Sequence, residues 1–297
     1  VTHAPADRFS LEVAPGRSVD VLAVPDQAGL PLIFHTGTPS GLVACPPLFE
    51  AAARHGLRCV LYSRPGYGRS DAQPGRRVAS AAADTAAILE HLGATDFVTA
   101  GWSGGGPHAL ACAALLGDRC RAAATLAGVA PYPAAGLDWL AGMDQENIDE
   151  FEAAIAGEAP LSALLSAAEA LMAELSADEV ADSLGGLLTA ADKAVATGQF
   201  GDYLAQTLST ALAAGIAGWR DDDLAFVSDW GFDVGSIAVP VTVWQGDQDA
   251  MVPFGHGQWL ISAIPGALAR LLPGDGHLTL MASRIDEIIG ELAAAGR

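Results

Sequence analysis

Residues 97–117 carry no formal charge over 21 consecutive positions, and the run is interrupted at its centre by Gly101, Gly104, Gly105, Gly106 and Pro107. Length alone would suit a membrane span, which needs roughly 20 apolar residues. The glycines and proline argue against one continuous helix, because each weakens a helix interior. The pattern predicts a buried strand, a tight turn and a buried helix in succession, which look continuous on a hydropathy plot.

The flanking segments extend this rhythm. Residues 9–13 and 19–24 alternate in polarity across Pro15 and Gly16 and predict an opening hairpin. Then come a strand at 32–35, a Thr, Gly and Pro loop, a helix near 46–55 and a strand at 59–62. A helix near 79–92, stopped by Gly93, leads to a strand at 97–100, a helix near 104–116 and a strand at 122–126. Repeated β-α alternation predicts a parallel sheet with helices on both faces. Between 132 and 236 the strand pattern lapses. Apolar residues there recur at helical spacing: Ile148, Phe151 and Ile155, then Leu161, Leu164, Ala168, Leu171 and Leu175, then Phe200, Tyr203, Leu204 and Leu208. Gly157 and Gly198 read as helix ends, and Ser176 with Glu179 as a capping box. Strands resume at 241–244 and 268–272, with helices near 256–263 and 282–295. The expected organisation is a core of residues 1–131 and 237–297 around a helical cap inserted at 132–236.

Apolar residues make up 51% and charged residues 17% of the 297, a globular composition and not a disordered one. Fifteen basic against 35 acidic side chains give a formal charge of −20, which repels nucleic acid and anionic membranes alike. Neither partner is expected; a small-molecule substrate is, and homo-oligomerisation is left open. Cys45, Cys59, Cys112 and Cys120 form no C-x-x-C pair and are too sparse for a disulfide scaffold. With Asp7, Arg8 and Glu12 where an export signal needs apolar residues, the expected location is the cytoplasm.

The chemistry begins at Gly101-Trp102-Ser103-Gly104-Gly105, a G-x-S-x-G between a predicted strand and a predicted helix. In that context a serine sits on a sharp turn with its hydroxyl clear of the backbone, and the glycines leave room where a Cβ would collide. The following helix aims its N-terminal amides at any negative charge formed there.

Here the chain resembles the α/β-hydrolase superfamily along nearly its whole length. Thr36-Gly37-Thr38-Pro39 is similar to the family's H-G-x-P oxyanion loop, with Thr36 where histidine is usual and His35 one place earlier. Arg64-Pro65-Gly66-Tyr67-Gly68-Arg69-Ser70 resembles its R-G-x-G-x-S turn. The acid loop G-x-x-D-x-x-V-P is matched from Gly246 to Pro253, and the histidine loop by Gly276-His277-Leu278. The resemblance implies an eight-stranded, mostly parallel sheet with an inserted cap. It also implies a triad in the order serine, acid, histidine: Ser103 as nucleophile, Asp249 as orienting acid in preference to Asp247, and His277 as base. Backbone N–H groups of Gly104 and Thr38 would form the oxyanion hole.

Trp102, Phe151, Leu171 and Tyr203 are the expected substrate contacts. Of the other histidines, His108 reads as a packed helix residue, and His3, His55, His91 and His256 as surface or cap-facing. His108 with Cys112 supplies only two ligands, so neither metal nor cofactor is expected. Asp144, Glu146, Asp149 and Glu150 read as a solvated helix face; the less favoured alternative is that some receive a substrate amine. The expected activity is hydrolysis of a small to medium hydrophobic carboxylic ester. The alternatives are prolyl aminopeptidase-like amide cleavage, acyl transfer or perhydrolysis on the same triad, and ligand binding with little turnover.

Overall fold

The computed structural model describes residues 6–24, 29–172 and 187–297, and its sheet has eight strands in the order β1-β2-β4-β3-β5-β6-β7-β8. The strands are β1 (Asp7–Ala14), β2 (Arg17–Ala23), β3 (Leu30–His35), β4 (Leu57–Tyr62), β5 (Phe97–Trp102), β6 (Cys120–Leu126), β7 (Val241–Gly246) and β8 (Leu268–Leu272). β1 and β2 form the expected hairpin, β2 pairs antiparallel with β4, and the remaining pairs are parallel.

Every residue of β5 and β7 is buried, as a strand covered on both faces requires. Period-two alternation divides the core. Leu32, Phe34, Cys59, Leu61, Val98 and Ala100 face helices α1 (Pro46–Arg54) and α11 (Ile285–Ala295). Ile33, Val60, Tyr62, Phe97, Val241 and Val243 face α2 (Ser80–His91), α3 (Gly105–Leu115) and α9 (Phe254–Ala263). The uncharged run 97–117 is therefore strand β5, a turn and helix α3. No helix among the described residues is long and apolar enough to cross a membrane.

Between β6 and β7 the described residues contain no strand. They form α4 (Gln145–Ala156), α5 (Glu158–Met172), α6 (Ala190–Val195), α7 (Gly198–Leu212) and α8 (Ala217–Phe226). Leu175 and the Ser176 and Glu179 pair lie outside the described residues. A further difference from expectation follows β8. A short helix, α10 (His277–Ser283), starts directly at His277, where the sequence suggested a loop.

Strand order brings the functional loops together. β3 has β4 on one side and β5 on the other, so the crossovers wind in opposite directions there and leave a crevice beyond the carboxyl ends of the strands. His35 pairs in register with Gly101, which sets the loop after β3 beside the turn after β5. Gly246 pairs with Leu272, which sets the loop after β7 beside the one after β8.

Candidate active site

Ser103 has φ of +56°, a left-handed conformation that an ordinary side chain adopts only when its surroundings enforce it. The enforcement is steric. A Cβ on Gly101 would lie 2.1 Å from the carbonyl oxygen of Gly105, and one on Gly105 would lie 2.0 Å from that of His35. The Ser103 N–H donates to Leu126 O at 2.8 Å, and Gly106 N donates to Ser103 O at 2.9 Å, which fixes the turn to β6 and to the start of α3. Thr38 lies against the turn, since a Cβ on Gly104 would come within 2.3 Å of Thr38 Oγ1.

His277 is buried, and its Nδ1 donates to Asp249 Oδ2 at 2.8 Å. Asp249 Oδ1 also accepts the N–H groups of Met251 and Val252, at 2.9 and 2.8 Å, so the carboxylate is fixed before it meets the imidazole. Burial lowers the His277 pKa, but the charge and hydrogen bond of Asp249 outweigh it and leave the pKa raised above 6.5. Asp247 is exposed, and its Oδ1 accepts from Gly274 N at 2.8 Å and Gln248 Nε2 at 3.1 Å. The structure therefore brings Asp249, and not Asp247, to His277.

Two carboxylates from the segment between β6 and β7 escaped the sequence reading. Asp192, fully buried on α6, accepts the N–H groups of His277, Leu278 and Thr279 at 2.9, 2.7 and 3.2 Å. A side chain distant in sequence thus caps α10, which explains why a helix starts at the histidine. Asp222 on α8, also fully buried, accepts from Arg64, Arg76, Tyr67 and Thr38. It belongs to the acidic run 221–223, which in sequence resembles a solvated helix face.

Ser103, Gly104, Thr38 and His277 share the wall of a cavity of about 640 Å³. Phe151, Leu164, Leu204, Leu208 and Phe226 line it from the β6–β7 segment. Of the expected contacts, Trp102 lines the cavity and its Nε1 donates to His277 O at 3.2 Å. Phe151 also lines it, and Leu171 stands at its rim with 75% of its surface exposed. Tyr203 does not belong to the lining. It is buried in the core, its ring stacked on Phe200, while the next residue, Leu204, faces the cavity. Consecutive helical positions point about 100° apart, and apolar spacing does not tell a core-facing position from a cavity-facing one.

Of the two placements expected for His256, it takes the one facing the 132–236 segment and is buried there: Nδ1 accepts from Ala130 N at 3.0 Å and Nε2 donates to Trp139 O at 2.8 Å. Burial pushes its pKa down to about 4, although the Trp139 carbonyl opposes this. Glu150 is not on a solvated face, because it accepts from Trp219 Nε1 at 2.8 Å and lines the cavity beside Asp223. Burial pushes both carboxyls above the ordinary range; Glu150 adds to the rise at Asp223, whereas Asp223 and Trp219 oppose it at Glu150. His108 is packed as expected, next to Asp222 and Val78 O.

With this geometry in view, residues 31–282 match the family described as the alpha/beta hydrolase fold, and the chain belongs to it as an enzyme of that superfamily. A non-heme chloroperoxidase of Streptomyces lividans is 35% identical over 131 residues, 43% of this chain and 47% of that protein, so the chain spans about half of that relative's length. Among solved structures, an alpha/beta hydrolase fold protein from Nakamurella multipartita is similar with a TM-score of 0.66 and 24% identity, covering 98% of this chain and 100% of that one. A bromoperoxidase from Bacillus anthracis gives a TM-score of 0.71 at 20% identity, covering 98% and 99%. At these identities the structural likeness establishes the fold.

Proposed function

We propose that the protein is a serine hydrolase that cleaves small to medium hydrophobic carboxylic esters through an acyl-enzyme. The observation that carries this reading is the strained Ser103 on the same cavity wall as His277, with His277 Nδ1 bonded to Asp249. Nδ1–H bonded to the carboxylate leaves Nε2 unprotonated and able to accept the Ser103 proton. The oxygen of Ser103 attacks the ester carbonyl carbon, and the negative charge on the carbonyl oxygen meets the N–H groups of Gly104 and Thr38. His277 returns the proton to the departing alkoxide. Water, activated by the same histidine, then releases the acid and restores the serine. The segment 132–236 acts as the cap, and its aliphatic lining selects the acyl group.

The test is a panel of esters of graded acyl length beside prolyl and non-prolyl aminoacyl amides. Turnover peaking on a short or medium neutral ester is expected; an intact protein that cleaves amides and no ester would reject the reading. Phe151→Ala, Leu164→Ala and Leu208→Ala are expected to alter the chain-length profile by about 1–3 kcal/mol in transition-state discrimination, with little effect on the smallest ester. Tyr203→Phe is expected to leave that profile unchanged, because its ring faces the core. Unaltered profiles in all three lining variants would make the cap mere scaffolding.

A second reading, cleavage of aminoacyl amides, is favoured by one feature. Glu146, Asp149, Glu150 and Asp223 line the cavity without a Lys or Arg among the described lining residues, and Asp223 Oδ2 meets no donor. A substrate ammonium group would supply the donor that Asp223 Oδ2 lacks and a counter-charge to these carboxyls. Under this reading, free-amine substrates outperform their N-acetyl counterparts, and Glu150→Gln removes the preference. The relative named a non-heme chloroperoxidase makes hydrogen peroxide an acyl acceptor worth supplying in competition with water.

A further inference from the structure

We propose that Asp222 is a positioning residue: carried by an inserted helix, its buried carboxylate holds the loop after β3 in register with the turn at Ser103. The proposal rests on the assignment of Thr38 to the oxyanion hole. Asp222 Oδ2 accepts from Thr38 Oγ1 at 2.8 Å, Tyr67 OH at 2.8 Å and Arg64 Nη2 at 2.6 Å, while Oδ1 accepts from Arg76 Nη1. Arg64 then spends its remaining donors on the same loop, giving Nη1 to Thr36 O and Nη2 to Gly37 O and Thr38 Oγ1. Three consecutive loop residues are thus tied to one guanidinium, and that guanidinium to one carboxylate.

A buried ion pair is not in itself a gain in stability, because burying both charges offsets much of their attraction. What this pair supplies is geometry. The guanidinium is a planar fork with fixed donor directions, and Asp222 holds Nε and one side of Nη2 so that Nη1 and the other side of Nη2 point at the loop. Without the carboxylate, two buried cations would face each other unbalanced, and Arg64 would be free to turn from Thr36 and Gly37. The loop would lose the contacts that keep Thr38 against Gly104. The next turn of the same helix reinforces the link, since Phe226 Cζ lies 3.0 Å from where a Cβ on Gly104 would stand. Seating of the inserted helix and the shape of the oxyanion hole are therefore one mechanical unit.

The test compares Thr38→Val, Thr38→Ser, Asp222→Asn and wild type, each active-site titrated with a fluorophosphonate so that kcat is expressed per reactive Ser103. Thr38→Val keeps the loop N–H and the side-chain shape but cannot donate to Asp222. Its kcat per titrated site is expected to fall roughly 10- to 100-fold, the scale of a displacement near 1 Å, with KM within about twofold. Thr38→Ser, which retains the hydroxyl, is expected to recover most of that loss. Asp222→Asn is expected to follow Thr38→Val with a larger fall; if it does not fold, the valine and serine pair decides. Thr38→Val with kcat within about twofold of wild type, or Thr38→Ser as impaired as valine, would overturn the proposal. A wild-type protein whose Ser103 takes up no label would instead reject the hydrolase assignment itself, which separates the two failures.

Discussion

Ser103→Ala is expected to lower kcat by about 10⁶-fold, the scale seen when the nucleophile of a serine hydrolase is removed. Stability should barely change. The turn is imposed by its surroundings and not by the hydroxyl: Gly101 and Gly105 make room for it, and Ser103 N–H is anchored on Leu126 O. Alanine has the same backbone requirements and no oxygen. A serine-directed organophosphate should attach to Ser103 in the wild-type chain, located by mass spectrometry of the digested protein, and Ser103→Ala should take up none. By contrast, Gly105→Ala should damage folding, since its Cβ would stand 2.0 Å from a backbone oxygen that has no room to move. A folded Ser103→Ala that retained substantial turnover, or an adduct on a different serine, would remove the proposed nucleophile.

Where a candidate site is encoded in contiguous residues, the sequence displays it. The serine turn needs a strand before it, small residues around it and a helix after it, and all three lie within the uncharged run 97–117. The acid loop was legible for the same reason, since it follows β7, whose apolar pattern is plain; after β8 the histidine was legible but the helix that starts at it was not. Asp192 and Asp222 were not legible, because their partners are 85 to 87 and 114 to 184 residues away in most of their contacts. In sequence, an acid on an amphipathic helix looks solvated whether it faces water or a buried amide. The same limit explains Tyr203 and Leu204, adjacent on one apolar face yet directed to the core and to the cavity. The sequence left His256 between a surface and a cap-facing placement for want of its partners, Ala130 and Trp139, which only the packing of α9 against the segment after β6 reveals.

Asp249→Asn is expected to lower kcat by up to about 10⁴-fold with the fold retained. The amide matches the carboxylate in size, but its NH₂ group favours the imidazole tautomer with Nδ1 unprotonated, which puts the proton on Nε2, where the Ser103 proton has to go. The pH dependence carries a second signature. His277 works as a base only when neutral, and its raised pKa means protonation silences it as pH falls through a value above 6.5, so the acid limb of kcat/KM should lie there in the wild type. Removing the Asp249 charge leaves burial as the largest influence on His277, and burial lowers the pKa. The acid limb of Asp249→Asn should therefore move to lower pH while its plateau falls. Asp247→Asn removes an exposed carboxylate that touches Gly274 and Gln248 but not His277, so its limb should stay in place and its kcat should change only a few-fold. Stopped-flow or steady-state profiles of the three proteins across pH 5 to 9, on the order of the range where histidine titrates, make the comparison. A severe Asp247→Asn beside a nearly silent Asp249→Asn would show that the hydrogen bond at 2.8 Å between Asp249 and His277 is not the one catalysis uses.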